Sequence, residues 1–139
     1  MCHVLIIEDE VLFAIELSWI LRSSGATSFD VAETAEEAVY AASVRRPDII
    51  PSDVKLRSGN GVQAVAAIHA ALGPVPVIFI TASPSECSPL FRPARVLGKP
   101  LHDSTIARAF RDLAPRGEPA ALGFGGAPGA DASPPTAPP

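Results

Sequence analysis

Short apolar runs alternate along this chain with longer segments in which apolar residues return every three or four positions. Val4–Ile7 and Val75–Ile80 are continuous or nearly so, Ile49-Ile50 leads a third run that ends near Asp53, and Ser28–Ala32 and Arg95–Leu97 are shorter. The pattern predicts strands there, and helices over Val11–Leu21, from Ala35 to about Arg45, over Val62–Leu72 and over Ser104–Leu113. A strand with one wet face alternates, whereas a continuous apolar run is buried on both faces. Strand and helix in strict alternation, with strands of that kind, imply a parallel sheet covered by helices on each side.

Local signals mark the boundaries. Gly25 follows the last turn of the first helix. Thr34-Ala35-Glu36-Glu37 is a capping box, a hydroxyl at the N-cap and a carboxylate three residues on. Gly59-Asn60-Gly61 and Gly73-Pro74 bracket the third helix, and Asp103 or Ser104 is expected to cap the last. Two stretches resist. Pro51 falls inside a central strand, where it removes a ladder donor. A helix is due between the fourth and fifth strands, yet Pro84, Pro89 and Pro93 leave room for one turn, so it is expected to be short or irregular. From Pro115 onward Pro, Gly and Ala dominate, and such a segment buries too little to fold. The expected division is a folded domain, 1–114, and a disordered tail, 115–139.

Composition narrows the class. With 139 residues, 47% of them hydrophobic, the chain suits one domain and excludes wholesale disorder. A net charge of −4 and scattered Lys and Arg argue against nucleic acid or a membrane surface as partner. No apolar stretch approaches the roughly 20 residues that span a bilayer. Met1-Cys2-His3 lacks the features of a leader, and two cysteines make no disulfide framework, so a cytoplasmic location is expected. Cys2 beside His3 could be half a metal site, but no second half appears, and a strand start with a free thiol is the plainer reading. Cys87 has no basic neighbour in sequence closer than Arg92, which disfavours a redox role. His69 and His102 follow no strand and read as surface residues.

The chemistry gathers where the strands end. Glu8 and Asp9 follow the first strand, Asp53 the third, Thr81 the fourth and Lys99 the fifth. In an open parallel sheet, ligands bind at the carboxyl ends of the strands. Three carboxylates, a hydroxyl and an ammonium would therefore share one edge. Converging carboxylates repel unless a hard cation such as Mg²⁺ sits among them. With that cation, Asp53 is placed to take a phosphoryl group, Lys99 and the Thr81 hydroxyl meeting its oxygens. Glu10 stays at the start of the first helix, where negative charge suits the dipole.

Ordered and spaced in this way, IIEDE, PDIIPSDVKL with Gly61 following, IFITA and GKP make the chain resemble a response-regulator receiver domain (CheY-like) of bacterial two-component signalling, over roughly Met1 to Leu113. The resemblance implies a flavodoxin-like sheet in the order 2-1-3-4-5. It implies Asp53 as phosphoacceptor, Asp9 as direct Mg²⁺ ligand, Glu8 acting mainly through water, and the Lys55 backbone carbonyl as a further ligand. Thr81 matches the switch hydroxyl, Lys99 the phosphate-binding lysine, and a cis Lys99–Pro100 bond is implied. A histidine kinase or histidine phosphotransfer protein is the implied donor, and a downstream protein a further partner.

Three departures bear on signalling. Val96 stands where the family usually has a switching Phe or Tyr, Arg57 where many members carry proline, and the helix before the fifth strand looks broken. Nothing after Leu113 resembles an output domain, so a stand-alone receiver acting as shuttle, sink or docking switch is expected. Leu12, Phe13 and Trp19 give the first helix more apolar surface than one stripe needs, for core packing first and docking second. A pseudo-receiver that signals without phosphate is the alternative. A phosphatase of similar architecture needs a substrate cap or a second acid two residues after the nucleophile, and that position is Lys55.

Overall fold

Strands form where the apolar runs predict them: β1 (His3–Ile7), β2 (Ser28–Ala32), β3 (Ile50–Asp53), β4 (Val77–Thr81) and β5 (Ala94–Gly98). All pair in parallel, in the order β2-β1-β3-β4-β5. Between and after them run α1 (Val11–Ser23), α2 (Ala35–Val44), α3 (Gly61–Leu72) and α4 (Asp103–Leu113). The computed structural model describes residues 1–84 and 94–115. Most of the stretch expected to hold a short helix before β5, with Cys87, lies outside the described residues, as does the tail from 116 on.

The uninterrupted strands have a simple cause. Val4, Ile6, Ile78 and Ile80 face one core, closed by Leu17 and Leu21 of α1 and by Ile106 and Phe110 of α4. Leu5, Ile7, Val77 and Phe79 face the other, closed by Ala38 and Ala42 of α2 and by Ala64, Val65 and Ile68 of α3. Successive strand residues point to opposite faces, and both faces are dry, so β1 and β4 are apolar between their ends. Each fully buried Leu, Ile or Phe contributes on the order of 1.5–3 kcal/mol.

The helix ends follow side-chain chemistry, with one correction. Thr34 Oγ1 accepts the Glu37 N–H at 3.1 Å, and Glu37 Oε1 in return accepts the N–H of Glu33, the residue before the cap. Asn60 Oδ1 accepts from Val62 and Gln63 and so opens α3. Neither Asp103 nor Ser104 caps α4. His102 holds the N-cap position without a side-chain bond, and Asp103 already lies in the first turn, where its charge meets the helix dipole. The Lys99–Pro100 peptide bond is cis.

The position of Pro51 is accounted for by strand direction. Ile50 N–H donates to Pro76 O and Val54 N–H to Ile80 O, so alternate residues of β3 aim their donors at β4. The Pro51 nitrogen therefore faces β1. There the pairing is reduced to Val4 with Ile49 and Ile7 with Ser52, while the ladder to β4 runs unbroken from Ile50 to Asp53. A central strand tolerates the proline because only one neighbour loses a bond. Cys2 is a buried free thiol. The His3 ring lies 2.8 Å from Ser28 Oγ and 3.0 Å from Asp30 Oδ2, tying β1 to the edge strand.

Beyond Asp53 the chain turns back tightly. Gly61 N–H donates to Val54 O at 2.8 Å, and a Cβ on Gly61 would lie 1.9 Å from the Asp53 carbonyl oxygen and 2.5 Å from Ser52 Oγ. Gly61→Ala must therefore push the backbone away from Asp53, at a cost of about 3 kcal/mol. Gly25→Ala meets no neighbouring atom and bears only the strain of φ +120°, about 1–2 kcal/mol. Urea unfolding of the two variants beside wild type should rank Gly61→Ala as the less stable; the reverse order would contradict this packing.

Candidate functional site

The carboxyl ends of β1, β3, β4 and the segment after β5 meet at one edge of the sheet. Glu8 still donates its N–H to Ala32 O at 2.9 Å, so it continues the line of β1 and its side chain is buried. Asp9 follows, half-buried, at the turn into α1. Asp53, the last residue of β3, is buried beside them. One carboxylate oxygen from each of Glu8, Asp9 and Asp53 lies within 4.8 Å of the other two.

The neighbouring strands supply the other groups. Thr81 ends β4, buried, with its Oγ1 accepting the Ser83 N–H at 3.1 Å. Lys99 follows β5 and donates its N–H to Thr81 O at 2.9 Å, which fixes its backbone to β4. Its Nζ reaches to 3.4 Å from Asp53 Oδ2. Lys55 bridges to Asn60, and its main chain hydrogen-bonds the Asp53 carboxylate. The Asp53 carbonyl accepts the Ser52 hydroxyl at 3.0 Å. Glu8, Asp9, Asp53 and Lys99 thus come together directly, and Thr81 and Lys55 join through the main chain.

Crowding shows in the electrostatics. Burial pushes the Glu8 carboxyl up to about 7; the Glu10 N–H on Oε2, at 3.0 Å, works downward, the Asp53 and Asp9 charges upward and Lys99 downward. Burial also raises Asp53, against the charge and hydrogen bond of Lys99 and the Lys55 main chain. Glu8 Oε1 is buried and has no hydrogen-bond partner. A buried carboxylate oxygen without a donor is costly, and an all-oxygen donor set with an orphaned acceptor suits a hard divalent cation. The residues present fit Mg²⁺.

Two contacts escaped the sequence reading. Arg57 donates its main-chain N–H to Asp9 Oδ2 at 2.6 Å. A main-chain donor carries no side-chain signature, so nothing in the residue type announces it. Phe13 places its ring 5.5 Å from Lys99 Nζ. Nothing in the spacing announces it, since Asp9 precedes the helix and Phe13 lies in its first turn. His69 meets the Val75 main chain in the α3–β4 connection, and His102 heads α4; neither belongs to the carboxylate cluster. Leu12 and Trp19 are 83% and 70% exposed and so take no part in the core, whereas Phe13 packs against it.

This geometry has close parallels among known proteins. The family model of the response regulator receiver domain matches residues 4–90. The phyllosphere-induced regulator PhyR of Methylorubrum extorquens is 38% identical over 109 residues, covering 76% of this chain and 40% of that protein. The receiver domain of Erythrobacter litoralis PhyR, solved in solution, superimposes with a TM-score of 0.70 at 31% identity, over 81% of this chain and 88% of that one. The anti-anti-sigma factor PhyR of Bartonella quintana follows with a TM-score of 0.64 at 31% identity, over 80% of this chain and 48% of that one. The chain spans about 40% of the length of the curated PhyR it matches. Among the described residues no helix is long and apolar enough to cross a membrane. Fold, strand-end chemistry and relatives agree: the chain belongs to the response regulator receiver domain family.

Proposed function

We propose that this domain, residues 1–114, accepts a phosphoryl group on Asp53 from a phosphohistidine of a kinase or phosphotransfer protein in the cytoplasm. The observation that carries this reading is the cluster of buried Glu8 and Asp53 with half-buried Asp9, and Lys99 Nζ 3.4 Å from Asp53. An Asp53 carboxylate oxygen attacks phosphorus, the P–N bond to the donor imidazole breaks, and the ring leaves with the bonding pair. The product is an acyl phosphate on Asp53. Lys99 meets one phosphoryl oxygen, and the Thr81 hydroxyl donates a hydrogen bond to another. Glu8, Asp9, Asp53 and the Lys55 carbonyl would hold Mg²⁺, which when bound neutralises charge on the carboxylates and on the transferring group. No external substrate is turned over, and the acyl phosphate hydrolyses slowly in place.

The domain then serves as shuttle, sink or docking switch. On α1, Val11, Leu12, Ile15 and Trp19 expose an apolar stripe at helical spacing beside the acidic edge. That surface suits a helical donor protein whose histidine must reach Asp53. The Bartonella quintana relative is named for action on another protein factor, and a protein target downstream fits the same reading here. The pseudo-receiver alternative draws on Val96, which is half-buried against the second core and has no aromatic ring to move.

Incubation with Mg²⁺ and acetyl phosphate, followed by intact mass, should add one phosphoryl group to wild type and none to Asp53→Asn. No gain from acetyl phosphate and none from a phosphohistidine protein, with Mg²⁺ bound, would leave the pseudo-receiver standing.

The raised Glu8 carboxyl makes a second prediction. Without metal, the folded protein keeps a proton that the unfolded chain, near its ordinary 4.5, has released, up to about pH 7. Stability therefore falls as pH rises through that window, by on the order of 2–3 kcal/mol, and Asp53 acts in the same sense. Glu8→Gln should flatten the slope, and Mg²⁺ should stabilise wild type far more at pH 7.5 than at pH 5. Urea midpoints at the two pH values would show it; equal Mg²⁺ effects at both would count against the cluster as a cation site.

A further inference from the structure

We propose that Phe13 is a positioning residue for Lys99, its ring holding the ammonium over the acidic edge and aimed at Asp53. This rests on the reading of Lys99 as the group that meets the phosphoryl oxygens. Lys99 has its backbone tied to Thr81, but its head is carried on four rotatable carbons, and the side chain is 35% exposed. Such a head loses much rotamer freedom if it is to stay at one point. Its ion pair with Asp53 is long, at 3.4 Å, and does not fix it alone.

The second hold is the Phe13 ring, 5.5 Å from Nζ to the centroid and within the range where an ammonium is drawn to a π-face. The ring is itself anchored. Phe13 packs against the core formed by β1, β4, α1 and α4, while its neighbours Val11, Leu12 and Ile15 are exposed. Asp9 lies at the turn into α1 and Phe13 in its first turn, so the start of the helix carries a carboxylate and an aromatic ring to the same edge. A leucine there would fill most of the volume and offer no π-face.

The test compares Phe13→Leu, Phe13→Tyr and wild type. In wild type the ε-methylene protons of Lys99, identified as the NMR signal that disappears in Lys99→Arg, should lie upfield of ordinary lysine through the ring current. They should stay there in Phe13→Tyr and return to the ordinary position in Phe13→Leu. Phosphorylation by acetyl phosphate should slow roughly three- to tenfold in Phe13→Leu, and Phe13→Tyr should recover most of that rate, while urea midpoints keep both variants folded. Ordinary lysine shifts in wild type overturn the proposal even if no variant can be made. So does a Phe13→Leu protein that is phosphorylated at the wild-type rate. Because the NMR readout needs no phosphate, a protein that shows the upfield shift but takes no phosphoryl group would retain the Phe13 contact and refute only the phosphoacceptor reading.

Discussion

Three carboxylates brought within 4.8 Å of one another, two of them buried, are the constraint around which this edge of the protein is arranged. At that spacing the repulsion between full charges is several kcal/mol even at an effective dielectric of about 20. The fold answers in three ways. Burial holds Glu8 protonated up to about neutral pH, Lys99 brings one positive charge to Asp53, and main-chain donors from Glu10, Arg57 and Lys55 take up carboxylate oxygens. One buried acceptor, Glu8 Oε1, still lacks a donor. A site in that condition fits a hard cation, which is what the proposed chemistry requires.

The sheet makes the arrangement inexpensive elsewhere. Because β1 and β4 are dry on both faces, their only outlet for polar side chains is at the ends, and the carboxyl ends of the central strands are adjacent. The close return of Gly61 against Ser52 and Asp53 fixes the end of β3, and the Lys99 N–H on Thr81 O fixes the residue after β5 against β4. The ends of the strands that carry Asp53, Thr81 and Lys99 are therefore placed by backbone contacts that belong to the fold. Rigid placement of this kind is what in-line phosphoryl transfer asks of a protein.

Much of this was legible in the chain because it depends on local rules. Uninterrupted apolar runs marked strands with two buried faces, Thr34 and Glu37 marked the start of α2, and polar residues after the runs marked the edge. Pro51 was not legible, because whether a missing N–H matters depends on which neighbour it faces, and that is set by the register of β3 between β1 and β4. The cap of α4 was misplaced by one or two positions at a segment where several polar residues compete. The Arg57 N–H on Asp9 and the Phe13 ring over Lys99 join residues 48 and 86 positions apart, and no periodicity encodes such contacts.

If Asp53 is the phosphoacceptor, the harder question is how its state leaves the site. Val96 pairs with Phe79 in the middle of β5 and packs on the second core. Branched at Cβ, it is stiff at χ1 and has no ring to swing outward. Signalling through a rotating aromatic on β5 is therefore closed to this chain. From the site, Lys99 touches α1 through the Phe13 ring, 5.5 Å from its Nζ. Asp9 at the turn into that helix and Phe13 in its first turn face the site, and Val11, Leu12, Ile15 and Trp19 expose its outer side. A phosphoryl group that draws Lys99 toward its oxygens changes the charge in front of Phe13 and beside Asp9 at once. Both effects fall on a helix whose apolar outer surface has no partner within the described fold, so a docked protein can bias the equilibrium between the two states. On the proposed reading, α1 is the surface through which a docked protein and the phosphoryl site act on each other.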